Sequence, residues 1–190
     1  MSQSARTALP AYVLAGGQGR RFGADKLRYP LDGVPLVKQI ATRLALCCSR
    51  VVLVAGADDA FADLGLLTIA DSGQQLGPLD GLAAALADLR PSEDRLLLAA
   101  GDLWGIEPVW VERLCAATGP ADVWIFAGDN WQPLFGVYQR AVLPLVQEQL
   151  AAGRYSIKQL LARLDVRAVA APPGWERVIN INYPDELPAD

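Results

Sequence analysis

The stretch LAGGQGRRFGADK, residues 14–26, directly follows a short apolar run. We predict that this run, Ala11–Ala15, is a buried β-strand and that the glycines begin where the strand ends. A glycine loop at the carboxyl end of a strand can bring backbone N–H groups close to an anion, because no Cβ stands in the way. Two arginines and a lysine in the same stretch add positive charge. The stretch therefore predicts a polyphosphate site, with a nucleotide as its ligand.

The glycine spacing fits neither of two common phosphate-binding motifs. A Walker loop needs Ser or Thr directly after its lysine, and here Leu27 follows Lys26. The dinucleotide fingerprint needs Gly-x-Gly-x-x-Gly, and Gly17, Gly19 and Gly23 miss that spacing by one residue. The stretch and its surroundings also hold more charge than a pyrophosphate on a helix terminus requires, namely Arg20, Arg21, Lys26 and Arg28. The remaining alternative is a glycine-rich turn without a ligand, which this cluster of cations disfavours.

Positive charge is concentrated in the first fifty residues. They contain eight Lys or Arg and two Asp, a net charge of +6, so the remaining residues carry −10 to give the total of −4. An acidic protein is poorly suited to non-specific nucleic-acid binding, which depends on many phosphate contacts. A basic patch at one glycine loop suits a small anion. Three cations are interpreted instead as solvated surface charges: Arg6, Arg43 and Arg50.

Composition sets further bounds. With 190 residues and 52% hydrophobic content, we expect one domain over residues 10–190, preceded by a flexible segment over residues 1–9. No apolar run is long enough to span a membrane. Cys47, Cys48 and Cys115 are odd in number and lack metal-ligand spacing, which favours a reduced cytoplasmic protein with inert thiols.

Histidine is absent from the chain. Its absence excludes a Ser-His-Asp triad, a histidine general base and every histidine-ligated metal site. Any catalysis must therefore depend on carboxylates, cations, backbone dipoles and a metal that carboxylates bind.

Short apolar runs alternate with helical patterns along the chain. The predicted strands are Ala11–Ala15, Val51–Ala55, Leu67–Ala70 and Leu96–Ala100, and the predicted helices are Leu36–Cys47, Leu79–Leu89 and Pro108–Ala117. This alternation predicts an α/β fold with a Rossmann-like, mostly parallel sheet and helices on both faces. Ligands in such folds lie beyond the carboxyl ends of the strands. Asp71 and Asp102 each follow a predicted strand closely, so both are expected at that edge.

Asp102 is the candidate metal ligand. Mg²⁺ prefers carboxylate oxygens, keeps several waters and bridges to substrate phosphates, so one carboxylate can suffice. A lone Asp after a strand can also be a turn former or an N-cap. The glycine loop at residues 76–82 enters a helix and suits close contact with a base or ribose, although Pro78 also fits a simple helix start.

These motifs together resemble the molybdenum cofactor guanylyltransferase family of the nucleotidyltransferase fold. The family signature Leu-Ala-Gly-Gly-x-x-x-Arg-x-Gly-x-Asp-Lys matches residues 14–26, with Arg21, Gly23, Asp25 and Lys26 in register. The Gly-Pro-Leu-x-Gly loop matches residues 77–81, and the magnesium aspartate after a buried strand falls on Asp102. A later strand and a C-terminal Asn-x-Asn-x-Pro-x-Glu-Leu motif fall on residues 132–138 and 180–187. The resemblance covers nearly the whole chain.

The resemblance implies Mg²⁺-dependent transfer of GMP from GTP to the terminal phosphate of molybdopterin, with release of pyrophosphate. It implies catalytic roles for Lys26, Arg21 and Asp102, with the metal on Asp102. Asn180 and Asn182 would orient the acceptor or the waters of the metal. The nucleotide-binding residues it implies are Leu14, Ala15, Gly16, Gly17, Gly19, Arg21, Lys26, Asp71, Gly77 and Asp102. Molybdoenzyme-maturation proteins are the partners it suggests, with no nucleic acid and no membrane.

Several points stay open at this level. The family usually has Cys-Asp-x-Pro where residues 101–104 read Gly-Asp-Leu-Trp, so the resemblance does not fix the acceptor side. Trp131 and Trp175 could stack on a pterin, but ordinary packing is the favoured interpretation. Asp25 could pair with Lys26 or cap the loop. The alternatives are a cytidylyl- or sugar-phosphate nucleotidyltransferase of the same fold, and a non-catalytic nucleotide-binding protein that senses GTP or carries the cofactor.

Overall fold

The computed structural model describes residues 9–16, 25–128 and 132–181. Several predicted positions lie outside these ranges, namely residues 1–8 of the expected flexible segment, Gly17, Gly19, Arg21, Trp131 and Asn182. Leu9 is buried, and its carbonyl accepts a hydrogen bond from the Ser49 N–H at 3.0 Å. Packing of the described chain therefore begins at Leu9.

The regular elements follow the predicted alternation. The strands are β1 (Ala11–Leu14), β2 (Pro30–Leu31), β3 (Val34–Pro35), β4 (Val51–Ala55), β5 (Thr68–Ala70), β6 (Arg95–Ala100), β7 (Leu103–Trp104), β8 (Val123–Phe126), β9 (Phe135–Gln139), β10 (Val166–Val169) and β11 (Ile179–Asn180). The helices are α1 (Leu36–Ala45), α2 (Pro78–Ala87), α3 (Pro108–Cys115), α4 (Leu143–Ala151) and α5 (Ile157–Leu161). Every strand and helix predicted above is confirmed, with ends that differ by at most two residues.

Seven strands form one sheet in the order β10-β8-β9-β6-β1-β4-β5. All neighbours are parallel except β9, which runs antiparallel to both β6 and β8. The connection from Phe126 to Phe135 is short, with eight residues between the two strands. A parallel crossover needs a dozen or more residues, so this shorter connection makes β9 antiparallel to β8. The mostly parallel α/β sheet is therefore confirmed.

Alternate strand residues face two separate cores. In β1, Val13 faces the core on one side of the sheet and Tyr12 faces the core on the other. The first core contains buried residues of α1 and α3, and the second contains those of α2, α4 and α5. Helices consequently cover both faces, as expected for a largely parallel sheet whose strands are buried on each side. None of the helices in the described ranges is both long enough and apolar enough to cross a bilayer.

The strand order places a crevice beside β1. From β1 the chain passes through α1 to β4 and β5 on one side, then through α2 to β6 on the other side of β1. In open α/β sheets, this reversal of strand order is the topological switch point, where ligands bind beyond the carboxyl ends of the strands. The glycine stretch leaves β1 at this point. The fold therefore puts the start of the predicted phosphate site at the usual ligand crevice.

Two arginines that the sequence predicted to be solvated surface charges, Arg43 and Arg50, contact other side chains of the folded protein. That prediction is therefore wrong for both. The Arg50 side chain is only 14% exposed and pairs with Asp88 and Glu93 at 3.0 and 2.9 Å. The Arg43 guanidinium lies 5.1 Å from the centre of the Trp104 ring. The interpretation failed because the acidic and aromatic partners of both arginines come from distant parts of the chain.

The cysteines are all buried. Burial, followed by the nearby Glu112 carboxylate, raises the pKa of the Cys47 thiol to about 11. Since the thiolate is the reactive form, Cys47 stays an unreactive thiol at neutral pH.

Candidate functional site

An ion pair between Lys26 and Asp102 lies at the carboxyl end of β6. The Lys26 ammonium is 2.6 Å from Asp102 Oδ2, and the two side chains are 21% and 18% exposed. The residues are 76 positions apart in sequence. They meet because β1 and β6 are neighbours in the sheet, so the segments after both strands reach the same edge. The structure thus brings together the predicted phosphate-binding cation and the predicted metal ligand.

The end of the described chain completes the surroundings of this pair. Lys26 Nζ also donates to the Ile181 carbonyl at 3.1 Å, and the Ile181 N–H donates to the Asp102 carbonyl at 3.0 Å. β11 pairs antiparallel with β7, which sets Asn180 opposite Leu103. Asn180 is therefore opposite the residue that follows Asp102. The C-terminal motif and the Asp102 motif would have to lie this close together to share a site. Asn182 lies outside the described residues, and its role stays a prediction.

Close backbone contacts fix the junction of β1 and β6. The Gly101 N–H donates to the Leu14 carbonyl at 2.9 Å, while on the other side of β1 the Ala15 N–H donates to the Val54 carbonyl of β4 at 2.8 Å. Leu27 is buried, and a Cβ added to Gly101 would lie 3.2 Å from its Cδ2. This packing anchors the short 3₁₀ turn that carries Lys26 against the end of β6.

Asp71 and Gly16 approach each other across the ends of β1, β4 and β5. A Cβ added to Gly16 would lie 3.4 Å from Asp71 Oδ2. The other oxygen, Asp71 Oδ1, accepts from the Gly73 N–H at 2.8 Å. Gly77, at the start of α2, has a φ of +84°, which strongly favours glycine. Asp71 and the start of α2 thus follow β5 on one side of β1, while Asp102, paired with Lys26, follows β6 on the other side.

The acidic residue next to Lys26 caps the turn. Asp25 Oδ1 accepts from the Leu27 N–H at 3.1 Å, while Lys26 pairs with Asp102. Of the two roles left open for Asp25, the structure shows the cap. Asp25 Oδ2 also lies 3.5 Å from Arg28 Nε.

Arg28 does not belong to the phosphate-binding cluster. Its guanidinium donates to both oxygens of Asp63, at 2.7 and 2.9 Å, and lies 5.0 Å from the centre of the Phe61 ring. Pairing with Arg28 holds the pKa of the Asp63 carboxyl below its usual value. The sequence showed Arg28 beside Lys26 but not the β4–β5 connection that folds against it.

Two tryptophans that were left open occupy packed positions. Trp104 stacks under Arg43. Trp175 is 6% exposed and packs against Phe126, Phe135 and Trp110, with ring centroids 4.8 to 5.8 Å away. Packing is therefore the observed role of Trp175, as the favoured interpretation held.

A cleft of about 470 Å³ lies beside this aromatic cluster. Its lining comes from the segments that follow β8 and β10, at the same edge of the sheet as Asp102, and includes Gly128, Gln132, Pro172 and Glu176. Small-molecule sites commonly fall in the range of about 300–1,000 Å³. The cleft is thus large enough for a small organic ligand.

The carboxylates of the described residues limit how a magnesium ion could be bound. Within residues 9–16, 25–128 and 132–181, no group of three or more Asp, Glu, His or Cys side chains could hold a metal ion. Asp102 therefore belongs to no such group of three in these ranges. Mg²⁺ is often bound by one or two carboxylates together with substrate phosphates and water. Asp102 thus fits a cation that arrives with a polyphosphate, and the described residues do not form a protein cage of three or more such ligands.

Two contacts escaped the sequence analysis. One is the hydrogen bond from Lys26 to the Ile181 carbonyl. Every residue has a backbone carbonyl, so the residue type at position 181 could not predict this bond. Asp80 is 6% exposed and accepts from the Ser72 hydroxyl at 2.6 Å. A sequence signal for Asp80 did exist, because it is the only charged residue in the helical stretch PLDGLAAALA. A charge on an otherwise apolar, buried helix normally has a partner.

Known proteins resemble this chain over most of its length. A family model described as the MobA-like NTP transferase domain matches residues 11–168. The chain is 34% identical to the molybdenum cofactor guanylyltransferase of Cereibacter sphaeroides, with 92% of this chain and 91% of that protein covered. Its identity to the molybdenum cofactor guanylyltransferase of Pseudomonas putida (strain GB-1) is 31%, with coverage of 92% and 93%. The crystal structure of molybdopterin-guanine dinucleotide biosynthesis protein A from Archaeoglobus fulgidus matches with a TM-score of 0.76 at 24% identity, covering 94% of this chain and 95% of that one.

Proposed function

The chain belongs to the MobA-like NTP transferase family, and from this premise we propose that it transfers GMP from GTP to the terminal phosphate of molybdopterin. The coarser activity, nucleotidyl transfer, follows from the family itself. The donor and acceptor are suggested by the names of the two curated relatives, each at least 31% identical over most of the chain. The observation that carries the proposal is the Lys26–Asp102 pair at the switch point of the sheet.

The donor side would be formed by both borders of the crevice. The backbone from Gly16 onward, with Gly17, Gly19 and Arg21 of the glycine stretch, would hold the triphosphate. Leu14, Asp71 and Gly77 would line the base and ribose. Ala15 is buried, and its N–H is already bonded to Val54, so it would act as part of the supporting strand.

The reaction needs positioning and charge stabilisation rather than a strong base. An oxygen of the acceptor's terminal phosphate attacks the α-phosphorus of GTP, a new P–O bond forms, and the bond to pyrophosphate breaks. The attacking phosphate is already anionic at neutral pH, so the lack of histidine is no obstacle. Lys26 would neutralise charge on the α-phosphate and on the leaving pyrophosphate. Asp102 would hold Mg²⁺, which supplies further charge stabilisation to phosphate oxygens when bound.

The acceptor would lie on the Asp102 side of the crevice. The cleft beside Gln132 and Pro172 opens at the same sheet edge and is large enough for a pterin. Asn180 pairs with Leu103, the residue after Asp102, and would orient the acceptor phosphate or the waters of the metal. Asn182 would share this role.

Calorimetry with GTP, CTP, ATP and UTP in the presence of Mg²⁺ tests the donor, and pyrophosphate release with molybdopterin tests the reaction. GTP preference together with release supports the proposal. Preference for CTP or for a sugar-activating nucleotide would indicate a different acceptor and leave the fold assignment unchanged. GTP binding without pyrophosphate release would identify a sensor or carrier instead.

The metal role of Asp102 has a matched control at the other end of β6. We expect Asp102→Asn to lose most of the dependence of turnover on Mg²⁺ concentration, since the carboxylate is replaced by a weak neutral ligand. Asp94→Asn removes the same charge just before β6, at the opposite edge of the sheet, and should retain the wild-type Mg²⁺ titration. Identical titrations for both variants would remove Asp102 from the metal site.

A further inference from the structure

The segment 71–77, which connects β5 to α2, is bonded near its start to a buried acidic side chain of the helix. Asp80 lies in the first turn of α2, and its side chain is turned inward rather than to solvent. Its Oδ2 accepts from the Ser72 hydroxyl at 2.6 Å and from the Ser72 N–H at 3.2 Å. Its own N–H donates to the Gly77 carbonyl at 3.2 Å. The Asp80 side chain therefore ties the beginning of the segment to the first turn of α2, while the bond to Gly77 is the ordinary backbone bond of a helix start.

The conformation of this segment needs such support. Gln75 has a φ of +57°, and Gly73 has a φ of +71°. A left-handed backbone is costly for residues other than glycine, so such conformations persist only where surrounding contacts determine them. Ser72 Oγ, bonded to Asp80, also accepts from the Gln74 N–H at 3.3 Å. The hydrogen bonds of Asp80 thus extend into the strained part of the segment.

The same bonds bear on the Asp71 carboxylate at the crevice. Ser72 directly follows Asp71. Because Asp80 holds the backbone and the side chain of Ser72, it also restricts the orientation of Asp71 at the end of β5. Asp71 Oδ1 is bonded to the Gly73 N–H, and Oδ2 remains directed at the end of β1 beside Gly16. α2 also approaches β1 closely, since a Cβ on Gly81 would lie 2.7 Å from Leu14 Cδ2. This close packing fixes the position of the first turn of α2, and with it Asp80, relative to the end of β1.

We propose that Asp80 is a positioning residue for the nucleotide, acting through Ser72 to hold segment 71–77 in the shape that binds the nucleoside. The proposal rests on the proposed function, in which Asp71 and Gly77 line the base and ribose. Position 80 is the variable residue of the Gly-Pro-Leu-x-Gly loop, so the motif itself does not assign this role. Without the Ser72–Asp80 bonds, the segment samples other conformations, and apparent affinity falls with the fraction of protein that stays competent to bind.

The test compares Asp80→Leu with the conservative Asp80→Asn, by calorimetry with GTP and Mg²⁺ well below the unfolding temperature of each variant. Asp80→Leu removes the acceptor for both Ser72 donors, and we expect the Kd of GTP to rise about tenfold. Asp80→Asn keeps an amide oxygen as acceptor and should stay within about twofold of wild type. In turnover with molybdopterin, the KM for GTP should follow the Kd, while kcat at saturating GTP changes little, because Asp80 does not touch the reacting phosphates.

Gln149→Leu serves as the control for loss of a buried polar group. Gln149 is 1% exposed on α4, on the same face of the sheet as α2, and its Nε2 donates to the Ser156 carbonyl at 2.9 Å. This variant should lower thermal stability and leave the Kd of GTP unchanged. Equal weakening by Gln149→Leu and Asp80→Leu would show a general loss of stability and overturn the proposal.

Ser72→Ala tests the same bonds from the other side and covers the case in which Asp80→Leu fails to fold. We expect about a threefold rise in Kd, and little further rise above that of Asp80→Leu when the two are combined, since the bond between the Ser72 hydroxyl and Asp80 is already absent in Asp80→Leu. Wild-type affinity in Ser72→Ala and Asp80→Leu alike would refute the positioning role while leaving the proposed function intact. A wild-type protein that prefers another nucleotide is tested with that nucleotide, and one that binds none overturns both proposals.

Discussion

Lys26 joins two segments that lie far apart in the sequence. Its ammonium contacts the Asp102 carboxylate and the Ile181 carbonyl, one following β6 and the other following β11. A lysine ammonium is a compact charge with three donors on a flexible stem, so it can move from these partners to a phosphate within reach. The same residue can therefore balance Asp102 before the nucleotide binds and balance phosphate charge afterwards.

We expect Lys26→Ala to lower kcat for pyrophosphate release by at least about 100-fold, because removing one charge-stabilising donor typically costs about 10²–10³ in rate. Stopped assays of pyrophosphate with saturating GTP, Mg²⁺ and molybdopterin measure the effect, and circular dichroism checks that the fold is retained. Lys38→Ala removes an exposed lysine of α1 and provides the control. Near-normal turnover in Lys26→Ala would exclude this residue from the mechanism.

At the scale of elements, the junction between β1 and β6 tolerates no side chain at its glycine. A Cβ on Gly101 would lie 2.9 Å from the Leu14 carbonyl oxygen, a backbone atom that cannot turn away. We expect Gly101→Ala to lower the free energy of unfolding by about 1–3 kcal/mol, the usual range for forced overpacking. Activity should fall as well, since Asp102 is the next residue.

Gly56 offers the matched control for that prediction. It directly follows β4, and a Cβ there would meet no atom within 4 Å. Urea unfolding of Gly56→Ala should give a free energy close to wild type. Equal stabilities for Gly101→Ala and Gly56→Ala would mean that the strand junction can open without cost.

A second element-level feature is the charge network at the amino end of the sheet. Arg50 precedes β4 and pairs with Glu93, which precedes β6, and with Asp88 at the end of α2. The Arg50 guanidinium, followed by the Arg90 N–H, holds the pKa of Glu93 below the ordinary value of 4.5. Because the folded-state pKa is depressed, this stabilisation is present above pH 4.5 and is lost as the pH falls through the lower, folded-state pKa.

Glu93→Gln should consequently be less stable than wild type at pH 7, with the difference shrinking as the pH falls below about 4.5. Urea unfolding at a series of pH values from neutral to acid measures both curves. Glu176→Gln removes the same charge at an exposed position and controls for net charge. A constant difference between Glu93→Gln and wild type at every pH would contradict the ionic explanation.

At the scale of the whole molecule, Trp175 joins parts that lie far apart in sequence. Its ring packs on Phe126 of β8, Phe135 of β9 and Trp110 of α3. This contact holds the segment after β10, and through it β11 and Ile181, against the main sheet. We expect Trp175→Ala to lower the free energy of unfolding by about 3–5 kcal/mol, as for other buried aromatic truncations.

Trp175→Phe should recover much of that loss because it keeps an aromatic ring in the cluster. Thermal and urea unfolding of both variants give the comparison. If Trp175→Ala were as stable as wild type, the aromatic cluster would not hold the C-terminal segment. Loss of acceptor use in Trp175→Phe at full stability would instead revive the stacking role.

Local patterns predicted the backbone architecture well. Val51–Ala55 matches its strand at both ends, because an uninterrupted apolar run between polar segments is characteristic of a buried parallel strand. Asp71 and Asp102 were expected at the same sheet edge, and each follows its strand as expected. The apolar pattern did not indicate that β9 runs antiparallel, since strand direction depends on how the connection before it folds.

Local patterns in the sequence accounted for the alternation of strands and helices, the cationic glycine stretch after β1 and the carboxylates after β5 and β6, because side-chain periodicity and glycine content act over short distances along the chain. The pairing of Lys26 with Asp102, the acidic partners of Arg28 and Arg50 and the burial of Trp175 became evident in the folded chain alone. These outcomes join residues tens of positions apart. They depend on strand order and on which segments fold against each other, and no local pattern contains that information.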